Sequence, residues 1–389
     1  MKAILKVFIV VAVVCVSVFT WADAKDTVYQ GDPLADVSVK QMKLDGEKYV
    51  QQTDDGRTVT FTPDAGLQKY AQNLFDQYEV PAAAAVVLNS KTGRVITFAQ
   101  RYGKSFAAEN ENVALDASPP AASVFKIVTT SALLEQTDVG LNTEMCYHGG
   151  GGALYMENLE DSSSLDTACR SLRTAFGFST NAVFAKLSDR LLDRATMTQY
   201  AQKFGFGREI PFDIDVPQSE IEIPTDRLEK ARASAGFWHS HLSALHGAMI
   251  AQSIAQEGAM LRPYIVDSVV DKNGNVIYQS SPKFIGRSVE KDTAKQLIEA
   301  MKVTVARGTA RKAFKDGHGN PIVPGVEVAG KTGTLHGAKP FRAYSWFVGL
   351  APADNPEVAI AVLIVNEPKW RIHSSWTAAQ ILREYFQNK

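Results

Sequence analysis

Net charge is the first thing this chain lacks. Its 389 residues hold 41 basic side chains against 42 acidic ones, a formal charge of −1. A nucleic-acid-binding protein would usually carry a basic patch or tail, so that class is set aside. Cysteine is scarce too, with three in all, which excludes a scaffold built mainly from disulfides. No internal repeat occurs, and beyond the N-terminus no apolar run suggests a membrane span, so collagen-like, coiled-coil and multi-span membrane classes fall away. Disorder is also excluded: 45% of the residues are apolar, enough to bury a large core. The length suits one large domain or two smaller ones.

The one long apolar run lies at the start. Lys2 and Lys6 precede Val7 to Phe19, and Ala22-Asp23-Ala24 follows. That is the order of a secretory signal peptide, with cleavage expected after Ala24. The run is short for a membrane helix, which needs roughly 20 apolar residues. Extended through Trp21 and Ala22, it leaves an uncleaved membrane anchor as the alternative. Cys15 would go with the leader. Cys146 and Cys169 then remain, an even count in an exported chain, and predict a disulfide; two buried free thiols are the alternative.

Hydrophobic periodicity places the rest. Residues 25–65 read as a short N-terminal β extension, with Thr58-Val59-Thr60-Phe61-Thr62 alternating after a turn at Asp54-Asp55-Gly56. A helix is expected over Gly66 to Tyr78, with strands at Ala82–Leu88 and Val95–Phe98. Pro119-Pro120 introduces a helix over Ala122 to Leu134. Helices follow near Leu172–Phe176, Asn181–Leu192, Thr196–Phe204, His241–Gln256 and Val289–Val305. Late strands are expected at Tyr264–Val270, Val326–Thr334, Tyr344–Leu350 and Val358–Val365, and a helix over Ser375–Phe386 closes the chain. Strands at both ends with helices between them make an α+β pattern. Gly149 to Gly152 lacks the Lys-Ser/Thr of a phosphate loop and reads as a flexible loop.

Three short patterns carry the chemistry: Ser123-Val124-Phe125-Lys126, Ser179-Thr180-Asn181 and Lys331-Thr332-Gly333-Thr334. Each recurs by chance, since Ser280 and Ser288 also precede a lysine by three and Lys91 to Gly93 repeats Lys-Thr-Gly. Context separates them. Ser123 opens a helix, so Lys126 lies one turn on along the same face. A serine hydroxyl is a poor nucleophile until a base takes its proton. A lysine is that base if burial and a neighbouring cation lower its pKa, and Lys331 would be the cation. Ser179 could relay a proton, and Asn181 offers a donor and an acceptor to a substrate amide. Gly333 lets a substrate backbone come close, and the amides of Ser123 and Thr334 would form an oxyanion hole.

The ordered set resembles the penicillin-recognising serine acyltransferases, that is, penicillin-binding proteins and serine β-lactamases. The likeness runs from Gly66 to the C-terminus and includes Tyr344-Ser-Trp-Phe-Val-Gly-Leu-Ala-Pro352. It implies an antiparallel sheet flanked by helices plus an all-helical subdomain, with residues 66–389 as one transpeptidase domain. Ser123 would be the acylated nucleophile, Lys126 its base, Ser179 the relay and Asn181 the substrate clamp. Lys331, Thr332 and Thr334 would bind the substrate carboxylate. No metal or other cofactor is implied, as His239, His241 and His246 lack ligand spacing. The implied partners are peptidoglycan stem peptides ending in D-Ala-D-Ala, β-lactams as covalent inhibitors and other cell-wall synthesis proteins. The implied place is the periplasm or cell envelope of a bacterium, with inner-membrane anchoring if the leader stays. A serine β-lactamase is the alternative, although no Glu-x-x-Leu-Asn follows Asn181 and Asn181 itself is not aliphatic. A β-lactam sensor is a third reading, and it would normally need membrane spans and an output domain.

Overall fold

The computed structural model describes residues 31–103, 112–338 and 340–389; the leader expected over residues 1–24 lies outside them. Three antiparallel strands come first: β1 (Lys43–Asp45), β2 (Lys48–Gln52) and β3 (Thr58–Phe61). Helix α1 (Ala65–Gln77) follows. The Asp64 carboxylate caps it by accepting from the Leu67 amide at 2.8 Å, and Leu67, Ala71, Leu74 and Phe75 are buried along its expected stripe. The pair β4 (Ala82–Asn89) and β5 (Val95–Tyr102) comes next.

The middle of the chain is mainly helical. Helix α2 (Lys126–Gln136) leads to the strand pair β6 (Glu144–Tyr147) and β7 (Ala168–Ser171). Then come α3 (Leu172–Phe178), α4 (Asn181–Leu191), α5 (Arg194–Lys203), α6 (Arg227–Ser234) and α7 (Ala244–Ala255). Strands β8 (Ala259–Leu261), β9 (Val266–Val270), β10 (Val276–Gln279) and β11 (Phe284–Arg287) precede α8 (Lys291–Ala306). The chain ends with β12 (Ala329–Ala338), β13 (Phe341–Ala351), β14 (Val358–Asn366) and α9 (Ser374–Gln387).

The central sheet has the order β12-β13-β14-β4-β5 and is antiparallel throughout. Strand β14 is buried along its whole length, because both faces of the sheet are covered by helices. Alternation sorts its neighbour: Ala82, Ala84, Val86 and Leu88 of β4 join the core that includes α7, while Ala83, Ala85 and Val87 join the one containing α1 and α9. Each fully buried aliphatic side chain in these layers contributes roughly 1.5–3 kcal/mol. Helix α7 lies close on the sheet at Gly247, where a Cβ would stand 3.1 Å from the Ala361 Cβ.

The N-terminal strands extend a larger sheet, since β3 pairs with β9 (Val59 opposite Val269) and the sheet runs β1-β2-β3-β9-β10. One expectation changes. The helix expected from Ala122 begins instead as a 3₁₀ turn over Ala122–Phe125 and becomes α-helical only at Lys126. Ala122 takes a positive φ of 50°, a backbone state that an α-helix does not accommodate.

Candidate active site

The turn that carries Ser123 is held from outside. The Ala121 amide donates to Ser240 O at 2.8 Å, Leu242 N donates to Pro119 O at 2.8 Å, and the buried Trp346 indole N–H donates to Pro120 O at 2.8 Å. Gly236 backs the turn so closely that a Cβ on it would lie 2.2 Å from Ala122 O and 3.0 Å from Ser123 N. In a 3₁₀ turn residues i and i+3 eclipse one another, and this brings Lys126 Nζ 2.9 Å from Ser123 Oγ.

Lys126 is fully buried. Its Nζ also donates to Asn181 Oδ1 at 2.8 Å and to Ala235 O, and the Phe184 ring lies beneath it. Burial, helped by the charge of Lys331, holds the Lys126 pKa well below the usual lysine range. A neutral amine in hydrogen-bond contact with a serine hydroxyl is a competent general base.

Ser179 ends α3 in the left-handed region, with φ 57°, and Thr180 is extended before α4 begins at Asn181. Glycine or asparagine is the commoner residue in that left-handed position. The kink directs Ser179 Oγ to Lys331, whose Nζ stands 3.0 Å away and also donates to Thr332 O at 2.9 Å. Lys331 is buried over the Phe176 ring, and burial pushes its pKa down to about 7.

The third pattern lies on β12, the edge strand of the sheet. Lys331 and Gly333 face inward, whereas Thr332 and Thr334 are more open, as strand alternation requires. At Gly333 a Cβ would stand 3.2 Å from Ala121 O and 3.3 Å from Ser123 N. The strand therefore runs against the Ser123 turn, where only a bare backbone leaves both in place.

Of the eight residues singled out for catalysis or binding, hydrogen bonds join Ser123, Lys126 and Asn181, and join Ser179, Lys331 and Thr332; Gly333 lies against the Ser123 turn, and Thr334 follows it on β12 as an exposed residue. The look-alike patterns have other partners. Ser280 Oγ donates to Val266 O at 2.6 Å, Ser288 Oγ donates to Ser253 Oγ at 3.0 Å, and Lys291 pairs with Glu257. Cys146 and Cys169 sit opposite each other on β6 and β7 and are disulfide-bonded. Among the described residues no cluster of three His, Cys, Asp or Glu side chains could hold a metal ion.

Sequence reasoning missed three contributors. Thr309, from the turn after α8, places its Oγ1 2.5 Å from Thr332 Oγ1, and Gly308 lets that turn close on α3 at Gly177. Arg170 donates to Thr180 Oγ1 at 2.6 Å. Gly236 backs the Ser123 turn. The apolar run of α8 followed by Gly308 was a legible helix stop, but nothing local tied it to Thr332.

Residues 83–387 match the sequence pattern of the penicillin binding protein transpeptidase domain. The chain belongs to that family. It is 26% identical over 365 residues to stage V sporulation protein D of Bacillus subtilis, covering 88% of this chain and 55% of that protein. It is 31% identical over 283 residues to peptidoglycan D,D-transpeptidase PbpA of Mycobacterium tuberculosis, covering 69% of this chain and 54% of that one. The chain thus spans about half the length of these relatives. A D,D-transpeptidase domain from Eggerthella lenta superposes with a TM-score of 0.71 at 26% identity, covering 86% of this chain and 84% of that one. Penicillin-binding protein A of M. tuberculosis, as its imipenem acyl-enzyme, gives 0.70 at 26% identity, with 85% and 80% covered. The antiparallel sheet flanked by helices, with a helical region beside it, is the fold of these penicillin-binding domains.

Proposed function

We propose that this penicillin-binding domain is a serine acyltransferase acting on peptidoglycan stem peptides that end in D-Ala-D-Ala. The observation that carries the reading is a pair of hydrogen-bonded sets that meet at the second motif: Lys126 bonds both Ser123 and Asn181, and Lys331 bonds Ser179, two residues before Asn181. The M. tuberculosis relative is named as a peptidoglycan D,D-transpeptidase and its neighbour structure is an acyl-enzyme, which supports the same chemistry.

On this reading the reaction runs through the motif residues in turn. Ser123 Oγ attacks the carbonyl of the penultimate D-Ala while its proton passes to the Lys126 amine. The oxyanion that forms is met by the backbone N–H groups of Ser123 and Thr334. Collapse breaks the peptide bond, and the departing D-Ala nitrogen takes its proton through the Ser179 hydroxyl, leaving an ester on Ser123. Asn181 holds the substrate amide, and Lys331, Thr332 and Thr334 hold the terminal carboxylate beside the bare backbone of Gly333. An amine acceptor or water then releases the ester. A β-lactam enters the same ester and stays. The name of the M. tuberculosis relative, a peptidoglycan D,D-transpeptidase, supports a reaction outside the cytoplasm, and the proposed place is the periplasm or envelope of a bacterium; no helix of the described residues is long and apolar enough to cross a membrane.

The test is intact mass over time after mixing with benzylpenicillin. A persistent adduct of one penicillin per chain is expected. Rapid return to the unmodified mass would assign a β-lactamase instead.

A further inference from the structure

Ser179 and Thr180 lie in the break between α3 and α4, which begins at Asn181, and Ser179 has a left-handed backbone. Their amides donate to Phe176 O and Ala175 O of α3, but the Thr180 side chain caps neither helix. The strand pair β6–β7 and its loop reach both sides of this break. Next to Cys169, Arg170 Nη1 donates to Thr180 Oγ1 at 2.6 Å. Its guanidinium is held by two aromatic rings, 4.9 Å from the Phe178 centroid and 5.9 Å from that of Tyr147. On the other strand the Cys146 carbonyl accepts from Lys186 Nζ of α4 at 3.2 Å. Lys186 is buried and is also paired with Asp166 at 2.6 Å, and Asp166 binds His148 Nδ1 at 2.6 Å. Between the strands, the glycine loop presses on the first turn of α4: a Cβ on Gly150 would lie 2.8 Å from the Ala182 Cβ. The disulfide joins the two strands at the level of these contacts.

We infer that the disulfide-closed pair β6–β7 is the positioning device of the second motif, with Arg170 as the positioning residue that orients Thr180 and, through it, Ser179 and Asn181. The inference rests on the acyl-transfer reading and adds a determinant to it. Arg170 is distant from Ser123 in sequence and needs no contact with substrate. It acts because Asn181 Oδ1 must meet Lys126 Nζ and Ser179 Oγ must meet Lys331 Nζ at the same time. A fork-shaped, ring-stacked guanidinium fixes direction better than a flexible ammonium does. Displacing reacting groups by about 1 Å can cost on the order of 10²-fold in rate.

The experiment compares wild type, Arg170→Leu, Arg170→Lys, Thr180→Val and the Arg170→Leu/Thr180→Val double variant. Benzylpenicillin acylation is followed by rapid-quench intact mass across concentrations, so that affinity and the limiting acylation constant separate, and Tm is measured for each. Each of Arg170→Leu and Thr180→Val should lower the limiting constant about 10- to 100-fold with an affinity change below about threefold. The double variant should be no slower than the worse single, because both remove one interaction. Arg170→Lys should recover part of the rate. Losses that add in the double variant, or that follow Tm alone, would overturn the inference, as would single variants acylating at the wild-type rate. A wild type that never forms an adduct would instead contradict the acyl-transfer reading, and the inference with it.

Discussion

Gly236→Ala puts the architecture of the nucleophile turn to a quantitative test. Gly236 has a φ of 86°, so an alanine there costs on the order of 1 kcal/mol in backbone strain alone. The larger effect is steric. The new methyl carbon would begin 2.2 Å from the Ala122 carbonyl oxygen, and an ordinary contact requires retreat by about 1 Å. Ala122 cannot retreat without Ser123, its neighbour, whose amide nitrogen is itself 3.0 Å from the same point. Nor can the turn slide freely, since Pro120 O is tied to Trp346 and Ala121 N to Ser240. A displacement of this size at the reacting oxygen predicts an acylation rate about 10²-fold lower, with a stability loss of about 1–3 kcal/mol from local overpacking. The assay is the second-order rate of benzylpenicillin adduct formation by intact mass, beside thermal unfolding by circular dichroism. A Gly236→Ala protein that acylates within about threefold of wild type would refute the reasoning.

Lys126→Met should keep the fold, yet slow acylation by about 10²–10⁴-fold, the usual worth of a positioned proton acceptor; adduct formation under the same assay checks it. Acylation should depend on pH in two ways. It should fall toward acid as the Lys126 amine, held neutral by burial, becomes protonated. Because Lys331 is a cation below about 7 and neutral above it, carboxylate binding should also weaken as pH rises through that value. Lys331→Arg, whose guanidinium does not titrate in this range, should abolish that basic limb in the rate profile, and its persistence would remove Lys331 from the binding role. Replacing both Cys146 and Cys169 by serine should cost about 3 kcal/mol of stability in the chain-entropy description, read as a lower denaturation midpoint; an unchanged midpoint would contradict it.

What could be read from sequence was local. The apolar runs of β4 and β14 announce doubly buried strands, and Asp64 before the stripe of α1 announces a helix start. The three motifs are short enough to be seen in one dimension, and their order sufficed to gather them. Other features rest on distant partners. Helix α6 escaped notice because Ala231, Ala233 and Ser234 are its buried residues, too few to make a stripe. Strands β10 and β11 are largely open and lack the alternation of a half-buried strand. The pairing of β3 with β9 spans some 200 residues of chain, so no local pattern encodes it. The same holds at the site. Gly149 to Gly152 reads as a free loop until Ala182 is seen beside Gly150, and Arg170 is one surface arginine among many until Thr180 is placed next to it. The turn before α2 is 3₁₀, with Ala122 at a positive φ of 50° packed against Gly236 more than a hundred residues away, and no local helix propensity encodes that.

The central claim is that Ser123 is the acylated atom carrier and Lys126 its base. Peptide mapping of the benzylpenicillin adduct, on wild type and on Ser123→Ala, tests it most directly. The account predicts the penicilloyl mass on the peptide containing Ser123 in the wild type, and none anywhere in Ser123→Ala. An adduct on Ser280, Ser288 or Ser179, or one that survives in Ser123→Ala, would contradict it.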